Sequence, residues 1–268
     1  MCLIVVAWKA RPDMPLVVAA NRDEWRDRAA EPAHWWRGRG TSRSEEDTPP
    51  ILAGRDLKAG GTWMGLTAGG RFAAVTNFRD PADKRSTARS RGMLVTEFLS
   101  DEGSAFDFAS RLLPHVGEYN GFNLILGDGE SLVYFGSREG SVRAIEPGVH
   151  GLSNHLLDEP WPKVVRGREA MAASLADEDP APRLFDLLSD TKGAPDASLP
   201  STGVGVEWER RLASPLITGE DYGTRASTVV TFSGRRDVFF EERSRAAEGA
   251  VASVSQYRFT LRAPVRIG

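Results

Sequence analysis

The sequence predicts an α+β fold in a single domain, residues 1–268, with helices lying outside packed sheets. Three observations predict it. Short apolar runs punctuated by turn residues fill the first third of the chain and return in the last. Between them, residues 94–99 and 105–113 place Leu, Val, Phe and Ala at helical spacing. No segment repeats, and no clear boundary marks a second domain.

Taken in order, residues 3–8 read as a buried strand and residues 15–20 as a second, joined by a turn at Pro12-Asp13. The second ends on the polar run Asn21-Arg22-Asp23-Glu24, just where an apolar strand leaves the core. Such a run is a solvated turn or a set of presented functional side chains. From Trp25 to Asp56, Pro32, Gly38, Gly40, Pro49, Pro50 and Gly54 break any period, so the segment reads as irregular. Its His34, Trp35 and Trp36 argue for something that packs, a pocket wall or lid.

Residues 60–77 read as a hairpin around Gly69-Gly70, finishing on Thr76-Asn77. Ser90 and Ser104 are the expected caps of two helices, and Pro114 ends the second. Residues 121–135 form another hairpin through Asp128-Gly129, and a strand at 142–145 leads to His150, Asn154 and His155. Pro162 opens a helix with Val164, Val165, Ala172 and Leu175 inward, followed by a short helix at 184–188 and a Gly/Pro/Ser-rich connection at 192–205. The last strands are expected at 222–231, 237–243 and 256–261.

Composition narrows the class. Hydrophobic content of 41% and charged content of 26% are those of a soluble globular protein. A net charge of -3 gives no general attraction to nucleic acid. A single cysteine excludes an intramolecular disulfide and a multi-cysteine zinc site, so no metal centre is expected. The apolar run after Met1 is too short to span a bilayer and has no basic stretch before it. A cytoplasmic protein without an integral membrane segment is the expectation, its oligomeric state open.

Several polar groups stand where apolar strands end: Cys2, Asn21 to Asp23, Asn77, Asn154 and Arg225. As chemistry the set is complete in kind. Removal of Met1, which aminopeptidases clip before small side chains, would leave a thiol and an α-amine on Cys2, titrating near ~8.5 and ~8. The amine can then take the thiol proton through a water. The plainer reading is a buried cysteine acting as a small hydrophobe. Asp23 would orient the amine, and Asn77 and Asn154 would donate to a developing oxyanion. Arg225 would hold the carboxylate or lower the thiol pKa.

Cys2 after Met1, Asn21-Arg22-Asp23-Glu24, Gly61-Thr62-Trp63, Thr76-Asn77 and Tyr222-Gly223-Thr224-Arg225 together resemble the NRDE family, also called the transport and Golgi organisation family. The resemblance covers essentially the whole chain. It implies an N-terminal-nucleophile (Ntn) hydrolase-like, four-layer αββα sandwich of two antiparallel sheets flanked by helices. More distantly the chain is similar to cysteine amidases of the penicillin V acylase and bile-salt hydrolase group. That likeness implies Cys2, Asp23, Asn154 and Arg225 as catalytic, with Asn77 as a second oxyanion donor. One difference stands out: those amidases place an arginine three residues before the aspartate, where this chain has Ala20.

Two functions follow. The first is a cysteine amidohydrolase acting on a C–N amide bond of a small, acyl-bearing substrate and requiring no cofactor. Asn21, Arg22, Trp35, Trp36 and Trp63 would bind that substrate, the tryptophans as an apolar wall. The second follows from the family's implication in haem trafficking and lipid homeostasis: a non-catalytic carrier of haem or an acyl lipid on the same scaffold. Haem needs an axial ligand, for which His34, His155 and Cys2 are the candidates.

Overall fold

The computed structural model describes residues 2–37, 48–83 and 85–262, with Cys2 and Asp83 described by backbone alone. The chain opens with a hairpin of β1 (Cys2–Arg11) and β2 (Met14–Trp25). It then crosses to a second sheet through β3 (Ala30–Arg37), β4 (Pro50–Asp56), β5 (Met64–Thr67) and β6 (Phe72–Asn77). Helices α1 (Arg91–Leu99) and α2 (Ala105–Leu112) follow, and β7 (Phe122–Gly127), β8 (Leu132–Gly136) and β9 (Ser141–Ala144) complete that sheet. The chain returns through β10 (Gly148–Leu152), then α3 (Pro162–Ser174), α4 (Ala181–Leu188) and α5 (Val206–Arg211). It ends on β11 (Tyr222–Phe232), β12 (Asp237–Arg245) and β13 (Val251–Thr260).

The first sheet runs β10-β1-β2-β11-β12-β13 and the second β3-β4-β5-β6-β7-β8-β9, every named pair antiparallel. Strand alternation explains the layering. On β1 and β2, Ile4, Val6, Val18 and Ala20 join a core with Leu52, Phe72 and Tyr134 of the second sheet. Their neighbours Leu3, Val5, Val17 and Ala19 instead meet Val164 and Met171 of α3 and Leu184 and Leu188 of α4. The far face of the second sheet packs Ile51, Val75 and Leu124 on Leu94 and Phe98 of α1 and Ala109 of α2. These are four layers, helix–sheet–sheet–helix, as the resemblance implied. Strands buried on both faces read as continuous apolar runs, and each fully buried Leu or Phe contributes about 1.5–3 kcal/mol.

Several local expectations are corrected. The segment after Trp25 is not irregular: β3 and β4 pair across it, their register shifted between Glu31 and His34, where Pro32 supplies no amide. Residues 38–47 of that segment lie outside the described residues. The Asn21–Glu24 run is no turn. It continues β2, paired to β1 on one side and β11 on the other. Ser104 caps α2 through the Asp107 amide at 3.0 Å, whereas Ser90 makes no side-chain cap on α1. Val165 is exposed, and Lys163, Val164, Gly167 and Met171 line the buried face of α3. Pro114 begins a further 3-10 turn at Leu113–Glu118, and α5 forms just beyond the loop at 192–205.

Candidate active site

Because β2 continues through the polar run, its residues alternate between two environments. Asn21 faces the helical layer, where its amide donates to the Leu188 carbonyl at 2.9 Å and the Pro215 carbonyl at 2.8 Å. Arg22 faces the other sheet and lies over the Trp63 ring, 4.4 Å from its centroid. It is 5% exposed, yet its guanidinium makes no hydrogen bond among the described residues. Its ion pairs are loose, 3.6 Å to Asp56 and 3.9 Å to Glu24. In register, Arg22 stands opposite Cys2.

Asp23 is buried and accepts a 2.7 Å hydrogen bond from the Thr224 hydroxyl, whose oxygen in turn accepts from the Ile217 amide. Burial pushes its carboxyl above the ordinary range, against the opposing pull of Lys163, the Thr224 bond and Arg79. Lys163 sits in the first turn of α3 and is 1% exposed. That depth reflects how closely the helix lies on β1: a Cβ on Gly167 would come within 2.7 Å of Val5. Arg79 is held by a 2.5 Å ion pair to buried Glu209 and lies over Trp161.

A cleft of about 410 Å³ opens beside these groups, walled by Arg22, Asp23, Asp56, Trp63, Asn77 and Arg89 among others. A broader aromatic groove of about 650 Å³ adjoins it, lined by Trp25, Phe78, Trp208 and Tyr222. Asn77 and Glu24 belong to both walls, so the two spaces meet at the end of β6. Trp25, Trp208 and Tyr222 stand edge to face, with centroids 5.3–5.9 Å apart.

The remaining sequence candidates fall into place unevenly. Asn154 is fully buried, and its amide donates to the Asn77 backbone carbonyl at 2.8 Å while its own carbonyl accepts from the Arg79 amide. It therefore fixes the end of β6, with one of its two N–H bonds committed. Arg225 does not bond Asp23. A bulge at Thr224/Ala226 sets it outside the ladder, and its Nη1 donates to the carbonyls of Trp25, Arg26 and Arg28. Trp35 packs on Phe259, and Trp36 is buried with its indole N–H on the Ala53 carbonyl. Both belong to cores rather than to the cleft; Trp25 and Trp208 supply the apolar wall instead. His34 is held at the Pro32 carbonyl, and His155 stacks between Phe78 and Trp161 with Glu159 on its Nδ1. Neither imidazole borders the cleft or the groove. No group of three or more metal-ligating side chains occurs among the described residues, and no helix there is long and apolar enough to cross a membrane.

Sequence reasoning missed Lys163, Glu209 and the role of Thr224. The first two carry no signal, since a lysine or glutamate on a short helix is normally solvated. Thr224 lay within a quoted motif, one residue from the arginine that drew attention.

Fold and site together define an αββα sandwich whose N-terminal strand pair ends on a polar cleft. The chain belongs to the Transport and Golgi organisation 2 family, whose model matches residues 1–247. It is 35% identical to the Bos taurus Transport and Golgi organization protein 2 homolog, over 91% of this chain and 93% of that protein. The Mus musculus homolog is 31% identical over 97% of this chain and 99% of its own length. Among solved structures it is similar to a Caenorhabditis elegans N-acylethanolamine-hydrolyzing acid amidase ortholog, with a TM-score of 0.44, 11% identity and coverage of 85% and 92%. A mutant conjugated bile acid hydrolase from Clostridium perfringens gives a TM-score of 0.42, 10% identity and 97% coverage of both chains.

Proposed function

We propose that this protein is an N-terminal-nucleophile hydrolase that cleaves a C–N amide bond in a small, acyl-bearing substrate, with Cys2 as nucleophile. The observation that carries the reading is the register of the first hairpin. Cys2 pairs with Arg22, and Arg22 shares the wall of one cleft with Asp23, Trp63 and Asn77.

With Met1 removed, the α-amine takes the thiol proton through a water, and the thiolate attacks the amide carbon. A C–S bond forms and the carbonyl oxygen becomes an oxyanion, met by the Asn77 amide and the uncommitted N–H of Asn154. Collapse breaks the C–N bond, and the ammonium returns its proton to the departing amine. Water then hydrolyses the acyl-thioester. Asp23 accepts from the α-ammonium, and Lys163 and Arg79 oppose the burial that favours its protonated form. The charge favouring the thiolate is Arg22, at the register position opposite Cys2, in the role first considered for Arg225. The acyl portion lies in the aromatic groove.

The test has two arms: intact mass of the purified chain, and an amide-substrate screen with Cys2→Ala as control. Loss of one methionine together with turnover abolished in Cys2→Ala supports the mechanism. A chain that keeps Met1 throughout has no amine base and overturns it. Carriage of haem or an acyl lipid would then be the reading, followed by the visible absorbance of added haemin with and without His155→Ala.

A further inference from the structure

A second cleft lies on the far side of Arg22 and Trp63. It has a volume of about 290 Å³, and its mouth lies between the start of β3, at Ala30, Glu31 and Pro32, and the start of β13, at Ala252 and Ser253. Among the described residues, Arg22 and Trp63 are the ones on both its wall and that of the larger polar cleft, so they form a partition between the two. Arg225, Arg245, Glu31 and Glu242 are the other charged residues of its lining, with Ser244 and Ser253.

The charges here are arranged for a guest. Arg22 is buried and lines the cleft, and its guanidinium has only loose ion pairs to Asp56 and Glu24, a poorly compensated charge that an anion in the cleft would offset. Arg225 is pinned through Nη1 to three loop carbonyls, so its charge is presented at little further cost in side-chain entropy. Glu242 is oriented by the Ala33 amide at 2.7 Å and the Thr228 hydroxyl at 3.4 Å. Burial raises its carboxyl to about 7, so below neutrality it is largely an O–H donor. In that form the wall carries three guanidiniums against the single carboxylate of Glu31; Arg245 is tied to Ser227, Gly249 and Ser189, which leaves Arg22 and Arg225 to meet an anion. Pro32, Trp63 and Ala226 provide an apolar end.

We propose that this second cleft binds a small carboxylate, gripped by Arg22 and Arg225 and donated to by Glu242. The site shares Arg22 and Trp63 with the cleft assigned to Cys2, and its binding needs no turnover to be detected.

Among the described residues, Glu242 shares the cleft with Arg22 on β2, Arg225 on β11, Arg245 on β12 and Glu31 on β3, and it accepts from the Thr228 hydroxyl and the Ala33 amide. Ionising Glu242 places a second carboxylate beside the guest, so binding weakens as pH rises through its titration. Calorimetric titration of the full chain with sodium acetate, against sodium chloride at matched ionic strength, tests this. The expected result is saturable, millimolar binding, about tenfold weaker at pH 8 than at pH 6 because the protonated fraction falls by that factor. Glu242→Gln keeps the donor and removes the pH slope. Ser253→Phe, at an exposed position of the mouth, abolishes binding while thermal stability is kept. Absence of saturable heat at pH 6, a pH slope that persists in Glu242→Gln, or binding unchanged in Ser253→Phe overturns the proposal.

Discussion

Asn21 and Arg22 are neighbours on one strand, both buried, and they are used in opposite ways. The Asn21 amide donates to two carbonyls of the helical layer, tying β2 to the end of α4 and to the loop at Pro215. Arg22 faces the other sheet with a stacked ring and loose carboxylates but no hydrogen bond among the described residues. Burial alone does not tell structure from function in this polar run; the state of the donors does. A buried donor that is matched stabilises the fold, and one left unmatched calls for a separate explanation, which for Arg22 is its place on the walls of two clefts.

That contrast can be broken by measurement. Asn21→Ala strands two buried carbonyls, so it should cost about 3 kcal/mol and lower the calorimetric Tm by about 5 °C. A Tm within a degree or two of the parent would show that those two bonds carry no net stability. Glu242 lies on the Arg22 side, and its carboxyl is raised from an unfolded value near 4.3 to about 7. The folded chain therefore holds a proton that the unfolded chain has released, and stability falls as pH rises from about 4.5 to 7. Glu242→Gln should accordingly be no more stable than the parent near pH 4 but more stable at pH 8, by up to about 3 kcal/mol. Denaturant titrations at the two pH values decide it, and a pH-independent difference would refute the assignment.

Tyr134→Phe removes the buried hydroxyl that donates to Asn123 at 2.8 Å, with Asn123 itself bonded to Thr76 and the His155 carbonyl. The expected loss is about 1 kcal/mol, read from the denaturant midpoint at constant m. Arg22→Met should have the smallest effect, within about 1 kcal/mol of the parent, because a stacked apolar chain replaces a poorly compensated charge. If it instead destabilises as much as Asn21→Ala, Arg22 is a structural residue and the comparison fails.

How far the sequence anticipated this molecule depended on whether neighbours or distant partners decide a residue's place. The helix cap at Ser104, the hairpin through Gly69-Gly70 and the turn at Asp128-Gly129 were legible because they are settled locally. The Trp35-Trp36 strand was not, because Pro32 and Gly54 disrupt its pattern while pairing to β4 sustains it. The importance of Asn21 to Glu24 could be read from the polar residues themselves, but their continued pairing could not, since β11 arrives from far along the chain. Arg225 looked suited to a carboxylate, but the bulge beside it sends its side chain to the loop after β2. The depth of Lys163 required knowing that Gly167 lets α3 settle on β1.

The pairing of β2 with β11 also bears on when the site comes into being. The second sheet is drawn from one stretch of chain, Ala30–Arg37 through Ser141–Ala144, each strand pairing with the next in sequence, with α1 and α2 between β6 and β7. The first sheet joins the chain's opening strands to its last three, and Asp23 meets Thr224 across 201 residues. Pairings so distant in sequence are intrinsically slower to form than local ones. On the ribosome, the acidic group of the cleft waits for the final fifth of the polypeptide. A chain interrupted before β11 can retain a sheet, helices and much of a core while lacking the place where chemistry would occur.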